Sequence, residues 1–272
     1  MIKVGVLGAG GFVGRHLVAS LSRKGAEVLP IRLAGKLIEP FAAGLAEHLA
    51  PLADAQVVIN LAAALKPRTA VDTYANQDLP ADALRHLKSA NPDLRFIHVS
   101  SVNVLFSDLT DPYSRQKRAG EDRLSETGID CTVIRPGLIW SWNGEGNSAL
   151  FATYFAKPLP IHPMVRPGNR YRPVVVETFA DWLGDRALES WTEPAALTVL
   201  GDRTVTLWDL AQAYARIQGR RLLPLPLSGP ARLFAPLLTR SSIGQQFLAM
   251  DRANVPADVE LPFRDTSQPP TP

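Results

Sequence analysis

The sequence predicts an α/β fold, a doubly wound parallel sheet followed by a smaller C-terminal portion. Two observations carry that prediction. Short apolar runs with strand character recur at residues 4–7, 27–33, 55–64, 95–99 and 129–136. Most of the stretches between them return their apolar residues at helical spacing, and strands alternating with helices give a parallel sheet. A third observation places a site on that sheet: glycines at 8, 11 and 14 fill the turn between the first strand and the first helix.

The first strand, residues 4–7, is continuous and apolar. Leu17, Val18 and Leu21 give the apolar face of the following helix, which Gly25 ends. A tight turn needs residues without Cβ clashes. A pyrophosphate must also approach the backbone closely, and a helix N-terminus offers it N–H groups and a positive dipole end. The window Gly8-Ala9-Gly10-Gly11-Phe12-Val13-Gly14 therefore reads as a dinucleotide turn. At the end of the second strand stands Arg32, with Lys36 nearby. An acidic residue there would bind a ribose 2′-hydroxyl. A guanidinium pairs with a 2′-phosphate, which favours NADP and leaves NAD as the alternative.

Residues 34–53 show little regular pattern. Residues 55–64 form a buried strand ending in the small residues Ala62, Ala63 and Ala64, which let backbone lie against a cofactor. A helix is expected over residues 73–87, with Pro80 near its start or kinking it. Asn91-Pro92-Asp93 reads as a turn, and residues 95–99 as the strand that runs into Ser100 and Ser101. The next helix begins near Asp111 and ends at Gly128. Tyr113 and Lys117 lie four apart on one of its faces.

After the strand at 129–136 the pattern loosens. Residues 137–172 are rich in Pro, Gly and aromatics. Residues 172–189 look like one more strand and helix, and 196–200 like a strand. Residues 206–218 read as a helix opened by a Thr cap, and 224–230 as a proline-rich linker. Residues 231–253 are expected to be helical in parts, and 256–272 an extended or disordered tail. The domain reading is a nucleotide domain over 1–137, with 172–190 returning to it, and a substrate-binding portion over 138–171 and 191–255.

Composition narrows the classes. The chain of 272 residues is 46% hydrophobic and 20% charged, enough for a full core. A net charge of +3 without a basic cluster argues against nucleic acid. Cys131 is the only cysteine and the five histidines have no ligand spacing, so no metal is expected. No apolar run approaches membrane-spanning length, and the first strand leaves no room for a leader. The expected location is the cytoplasm.

In this order the motifs resemble the extended short-chain dehydrogenase/reductase family, in its epimerase/dehydratase branch, whose nucleotide domain is of Rossmann type. Gly8-x-x-Gly11-x-x-Gly14 matches the cofactor turn, and Asn60-Leu61-Ala62-Ala63 the strand end beside the nicotinamide ribose. Asn76 falls where the family has an Asn on the following helix. Ser100 and Ser101 match its Ser-Ser segment, Tyr113 and Lys117 its Tyr-x-x-x-Lys pair, and Arg135-Pro136 its Arg-Pro strand. The later segments are similar to a subgroup that includes the nucleotide-binding accessory subunit of respiratory complex I.

The resemblance implies a catalytic Ser101, Tyr113 and Lys117. Tyr113 would exchange a proton with a substrate hydroxyl or carbonyl, Ser101 would hold the same oxygen, and Lys117 would bind the nicotinamide ribose. It implies cofactor contacts at Gly8, Gly10, Gly11, Phe12, Val13, Gly14, Leu61, Ala62, Ala63, Asn76, Ser100 and Pro136, besides Arg32, Tyr113 and Lys117. The expected function is an NAD(P)-dependent oxidoreductase acting on a small molecule. The alternatives are a nucleotide-sugar epimerase that retains NAD and a non-catalytic NADP(H)-binding accessory or sensor protein. Family members often pair through the helix that carries the Tyr, so a homodimer is one alternative. Val102 and Asn103 stand where sugar dehydratases carry an acidic pair, which argues against elimination of water. The family's Asp-x-x-Asp-like adenine segment has no equivalent in 34–53, and Ile139-Trp140-Ser141-Trp142 replaces its Val-Tyr-Gly-Pro ending. Arg166, Arg170 and Arg172 form a basic run suited to a diphosphate or to solvent.

Overall fold

The computed structural model describes residues 1–33, 41–165, 170–189, 195–225 and 253–263. It opens with β1 (Lys3–Leu7), α1 (Phe12–Arg23) and β2 (Glu27–Ile31). Residues 4–7 of β1 are all buried, as in a strand covered on both faces. Helix α1 buries Leu17 and Leu21, one turn apart, and the chain leaves it through Gly25 at φ +79°.

Where little regular structure was expected, α2 (Phe41–Leu49) forms and buries Leu45 and Leu49. Lys36 lies outside the described residues. β3 (Val57–Asn60) is fully buried and shorter than the predicted run. The single helix expected over 73–87 is two helices, α3 (Ala70–Gln77) and α4 (Leu79–Ala90). Thr69 caps α3 in a reciprocal box with Asp72. The break falls at Asp78, and Pro80 takes an early position in α4, where its missing N–H costs nothing.

β4 (Arg95–Val99) matches its prediction. α5 (Pro112–Glu126) starts on an Asp111 cap, and Gly128 follows it at φ +64°. β5 is Thr132–Pro136. The remaining elements are β6 (Ile139–Trp140), α6 (Ala149–Phe155), β7 (His162–Val165), β8 (Arg170–Tyr171), β9 (Val174–Val175) and α7 (Val176–Leu188). After them come β10 (Ala196–Gly201), β11 (Val205–Thr206), α8 (Leu207–Ile217), β12 (Leu222–Leu225) and β13 (Val259–Leu261). Thr206 caps α8 with its hydroxyl, as the sequence predicted. The expected helix over 231–253 falls almost wholly outside the described residues, and so does the tail after 263. Within that tail β13 is extended but paired with β10, and Leu261 and Phe263 are buried.

The sheet has seven strands in the order β13-β10-β5-β4-β3-β1-β2, with parallel pairing and flanking helices, a Rossmann-type α/β fold. The chain leaves β1 to one side for β2 and returns to its other side for β3. The glycine turn after β1 therefore sits where the strand order reverses, the usual ligand crevice of such sheets.

The chain divides into two compact units. Unit 1 comprises Met1–Pro136 and Glu177–Thr198; unit 2 comprises Gly137–Val176 and Val199–Pro272. Unit 1 has a mainly aliphatic core, including Leu7, Leu45, Leu52, Val58, Leu84 and Val133. Unit 2 packs Trp140, Trp142, Phe151, Phe155, Tyr171 and Tyr214 together.

Candidate active site

The site of unit 1 lies along the carboxyl ends of β1, β3 and β4. Their register sets Leu7 beside Asn60 and Asn60 beside His98. The residues that follow those strands, Gly8, Leu61 and Ser100, therefore lie along one edge. Backbone bonds hold the edge together. The N–H of Gly8 donates to the Ile31 carbonyl at 3.0 Å, that of Leu61 to Leu7 at 2.9 Å and that of Ser100 to Ile134 at 2.7 Å.

The glycine turn is tight for two reasons. Gly8 has φ +83°, and a Cβ there would lie 2.8 Å from the Ala62 nitrogen. A Cβ on Gly14 would overlap the Gly8 carbonyl oxygen. Both glycines thus hold backbone against backbone and leave N–H groups at the start of α1, whose first turn carries no acidic side chain. Phe12 and Val13 open that helix. Arg32 is exposed and lies over the turn: a Cβ on Gly10 would be 3.3 Å from its Cδ and Nε.

Beside this turn Asn76 is fully buried and clamps the loop after β3. Its amide exchanges two 2.9 Å bonds with the backbone of Ala64 and donates to Gln116 Oε1 at 2.8 Å. It thereby fixes the loop of Leu61, Ala62 and Ala63 against α3 and α5. Pro136 is buried at the end of β5.

Tyr113 and Lys117 occupy one face of α5, and both are buried. Lys117 is only 1% exposed, and its ammonium donates to the Val99 carbonyl at 3.1 Å. That bond places Nζ at the carboxyl end of β4, two residues before Ser101. Burial pulls the Lys117 ammonium down from 10.5 to about 8, while the Glu121 carboxylate opposes the shift. Ser101 caps a short turn over Val102–Leu105, and its Oγ accepts the Asn103 N–H at 3.2 Å. Its own O–H donates to no described residue. Ser100 Oγ is buried and meets no partner among the described residues.

Other residues hold this constellation without having been singled out by the sequence. Asn103 Nδ2 reaches Ser114 Oγ at 3.3 Å, and Ser114 Oγ donates to Asp111 Oδ2 at 2.5 Å. This chain ties the Ser101 turn to the first turn of α5. Beneath it, Asn60 Oδ1 accepts the Ala62 N–H at 3.0 Å, so its Nδ2 faces His98 Nδ1 at 3.3 Å. That contact makes Nδ1 the acceptor and puts the proton on Nε2. Burial first, and the Lys117 charge second, hold His98 well below its ordinary range, so the imidazole stays neutral. A polar residue inside the apolar run of β4 was the one available signal.

The backbone cradle, the unpartnered Ser100 hydroxyl and the buried Lys117 fit a nicotinamide dinucleotide. No group of metal-ligating side chains occurs among the described residues. Burial pushes the Cys131 thiol up to about 11, so it is no nucleophile. Arg166 lies outside the described residues. In unit 2, Arg172 is held by the Gly201 carbonyl at 2.9 Å and by Glu260 at 2.6 Å.

A model of the NAD dependent epimerase/dehydratase family matches residues 4–157. The chain is 31% identical over 193 residues to a ceramide reductase of Caulobacter vibrioides, a match covering 65% of this chain and 58% of that protein. Among solved structures, it is similar to dTDP-4-dehydrorhamnose reductase from Bacillus anthracis in complex with NADP. The TM-score is 0.67 and the identity 15%, over 84% of this chain and 85% of that one. It is equally similar to the enzyme WbmH of Bordetella bronchiseptica in complex with NAD+. There the TM-score is 0.67 and the identity 17%, over 94% of this chain and 100% of that one. At these identities the two structures show the fold.

Proposed function

Because the chain belongs to the NAD dependent epimerase/dehydratase family, we propose that it is an NAD(P)-dependent oxidoreductase acting at a carbonyl or hydroxyl carbon. The observation that carries this reading is Lys117, an ammonium buried to 1% exposure, one helical turn from the buried Tyr113. Burying a lysine costs stability, and a chain that only had to fold would gain by placing an apolar residue there.

The residues divide the work as follows. Tyr113 gives a proton to the substrate oxygen or takes one from it. Ser101 donates its free O–H to that same oxygen while the Asn103 N–H occupies one of its lone pairs. Lys117 spends one N–H on Val99 and keeps two, which hold the cofactor's ribose and favour the Tyr113 phenolate. Gly8, Gly10, Gly11, Phe12, Val13 and Gly14 form the pyrophosphate cradle. Leu61, Ala62, Ala63, Ser100 and Pro136 line the rest of the cofactor site, with Asn76 fixing their loop. A nicotinamide dinucleotide bound there supplies the hydride acceptor or donor. The position of Arg32 over Gly10 supports a 2′-phosphate, hence NADP. Residues 138–171 and 191–255 form the substrate-binding portion of this proposal. The ceramide reductase relative favours reduction of a lipid-like carbonyl compound. The NAD+ complex of WbmH keeps a second reading in play, an epimerase that retains NAD.

One experiment separates these readings. The purified protein is denatured, its released nucleotide is measured, and the stripped chain is titrated with NADPH and NADH. Exchangeable NADPH consumed by a carbonyl substrate supports the reductase. Tightly held NAD supports the epimerase and removes the assignment of Arg32. Tyr113→Phe is expected to abolish turnover while weakening the cofactor by no more than about tenfold, the scale of one lost neutral hydrogen bond. Unchanged turnover would take Tyr113 out of the mechanism. Arg32→Asp is expected to weaken NADPH at least about tenfold more than NADH, the scale of one charged hydrogen bond. Equal losses for the two cofactors would sink the 2′-phosphate contact.

A further inference from the structure

The far end of α8 in unit 2 is basic. Arg216 stands in its last turn, and Arg220 and Arg221 follow it. All three are exposed, and none forms an ion pair with a described residue. Three acids of unit 2 are engaged elsewhere. Asp209 caps the opposite end of α8, Asp202 accepts the Phe263 N–H, and Glu260 pairs with Arg172.

Arg221 leads directly into β12, and its carbonyl accepts the His162 N–H of β7 at 2.9 Å. The two strands pair in parallel, with Leu222 opposite His162. Side chains alternate along such a ladder. His162 and Leu222 turn toward the aromatic core. Ile161 and Leu223 take the other face, where they are 45% and 46% exposed. Leu159, two residues before Ile161, is 40% exposed, and Lys157 stands just before it. Apolar side chains and exposed cations thus share one corner of the unit.

We infer that this corner docks on an anionic lipid bilayer. Leu159, Ile161 and Leu223 enter the boundary between headgroups and acyl chains, and Arg220 and Arg221 meet lipid phosphates. A second copy of the chain fits the corner poorly, because its own arginines would face these across the contact. This is peripheral attachment: no helix among the described residues is long and apolar enough to cross a membrane.

The test is flotation of the full chain with two kinds of vesicle, phosphatidylcholine alone and phosphatidylcholine with phosphatidylglycerol. Binding is expected to the anionic vesicles only and to fall as salt rises. Replacing Arg220→Ala and Arg221→Ala together should weaken it by about tenfold or more, the scale of two cations at such a surface. Ile161→Glu should weaken it with an unchanged melting temperature, since the side chain lies on the surface. Ile161→Trp should show a blue shift of its emission when anionic vesicles are added.

Absence of flotation with either vesicle overturns the inference. Equal flotation with both, insensitive to the arginine variants, overturns it too. So does a wild-type dimer that Ile161→Glu makes monomeric, which gives the corner to a second copy. Vesicle binding needs neither cofactor nor turnover, so its failure leaves the oxidoreductase reading standing, and the reverse holds as well.

Discussion

The two units build their cores from different side chains. Unit 1 packs leucines and valines between a sheet and long helices, so many small contributions add up. Unit 2 works with strands of two to four residues, such as β6, β8 and β12, and fills the space with aromatics. An aromatic ring buries far more area than an aliphatic side chain, which compensates for short elements. Buried histidines show the same contrast. His98 in unit 1 is bonded through Nδ1 to Asn60, which is itself bonded to the backbone of Ala62, and only its Nε2 bonds to no described residue. His162 in unit 2 lies against Tyr154 and Phe155 with neither ring nitrogen bonded among the described residues. In unit 1 a buried polar group serves a strand end beside the proposed cofactor site. In unit 2 the imidazole serves as one more flat ring.

The sharpest way to break that contrast is at the backbone of unit 1. Gly14→Ala puts a methyl group onto the Gly8 carbonyl oxygen, which neither helix nor strand can yield. The expected cost is about 3 kcal/mol or more in urea unfolding, with loss of dinucleotide binding. A neutral Gly14→Ala would show that the turn is loose and that the close approach has no role.

These contacts were legible in part. The spacing of Gly8, Gly11 and Gly14 after an apolar strand is a local signal, and the turn it predicts is the turn that forms. The Thr206 cap and the stops at Gly25 and Gly128 are local as well. Residues 41–49 hid their helix because Gly44 and the flanking Pro40 and Pro51 mask an apolar face that Leu45 and Leu49 nonetheless make. The break between α3 and α4 was visible in Pro80, but not its position at Asp78, which the Thr69–Asp72 box settles by starting α3 early. β13 was missed because a strand of three residues at a sheet edge needs little apolar sequence of its own. In the site, Tyr113 and Lys117 could be placed on one face from spacing alone. The Asn60–His98 contact could not, because it exists only through the register of β3 on β4. The same holds for the Asn103–Ser114–Asp111 chain, which joins a loop to a helix cap.

A smaller effect is expected where unit 1 keeps a buried charge. The unfolded chain binds the Lys117 proton with a pKa of 10.5 and the folded chain with about 8. The unfolded state therefore carries more protons between those values, and stability rises with pH across that window. Below about pH 8 the full penalty is present, on the order of 3 kcal/mol. Lys117→Met removes it but also frees the Val99 carbonyl, a loss of about 1 kcal/mol. The variant without cofactor should thus be inactive yet more stable by about 2 kcal/mol at pH 7. Its advantage should fade as pH approaches 10.5. Urea midpoints across that range measure it, and a constant difference at every pH would refute the buried-cation account.

The smallest effect tests unit 2. If His162 serves there as a ring, Phe is its natural replacement. His162→Phe keeps the flat contacts to Tyr154 and Phe155, with ring centroids at 5.2 and 5.0 Å, and removes two buried nitrogens that bond to no described residue. An unsatisfied buried polar atom costs about 1 kcal/mol or more, while the extra ring volume costs a fraction of that in a tight core. The net expectation is a gain of about 1 kcal/mol in urea unfolding of the full chain. The corresponding His98→Phe in unit 1 should lose stability, because stranding the Asn60 amide beside an apolar ring outweighs the relief of the one unbonded Nε2. Opposite signs at the two histidines would uphold the contrast between the units. Destabilisation at both would mean that the His162 imidazole is held by hydrogen bonds in solution, and that unit 2 uses its buried polar groups as unit 1 does.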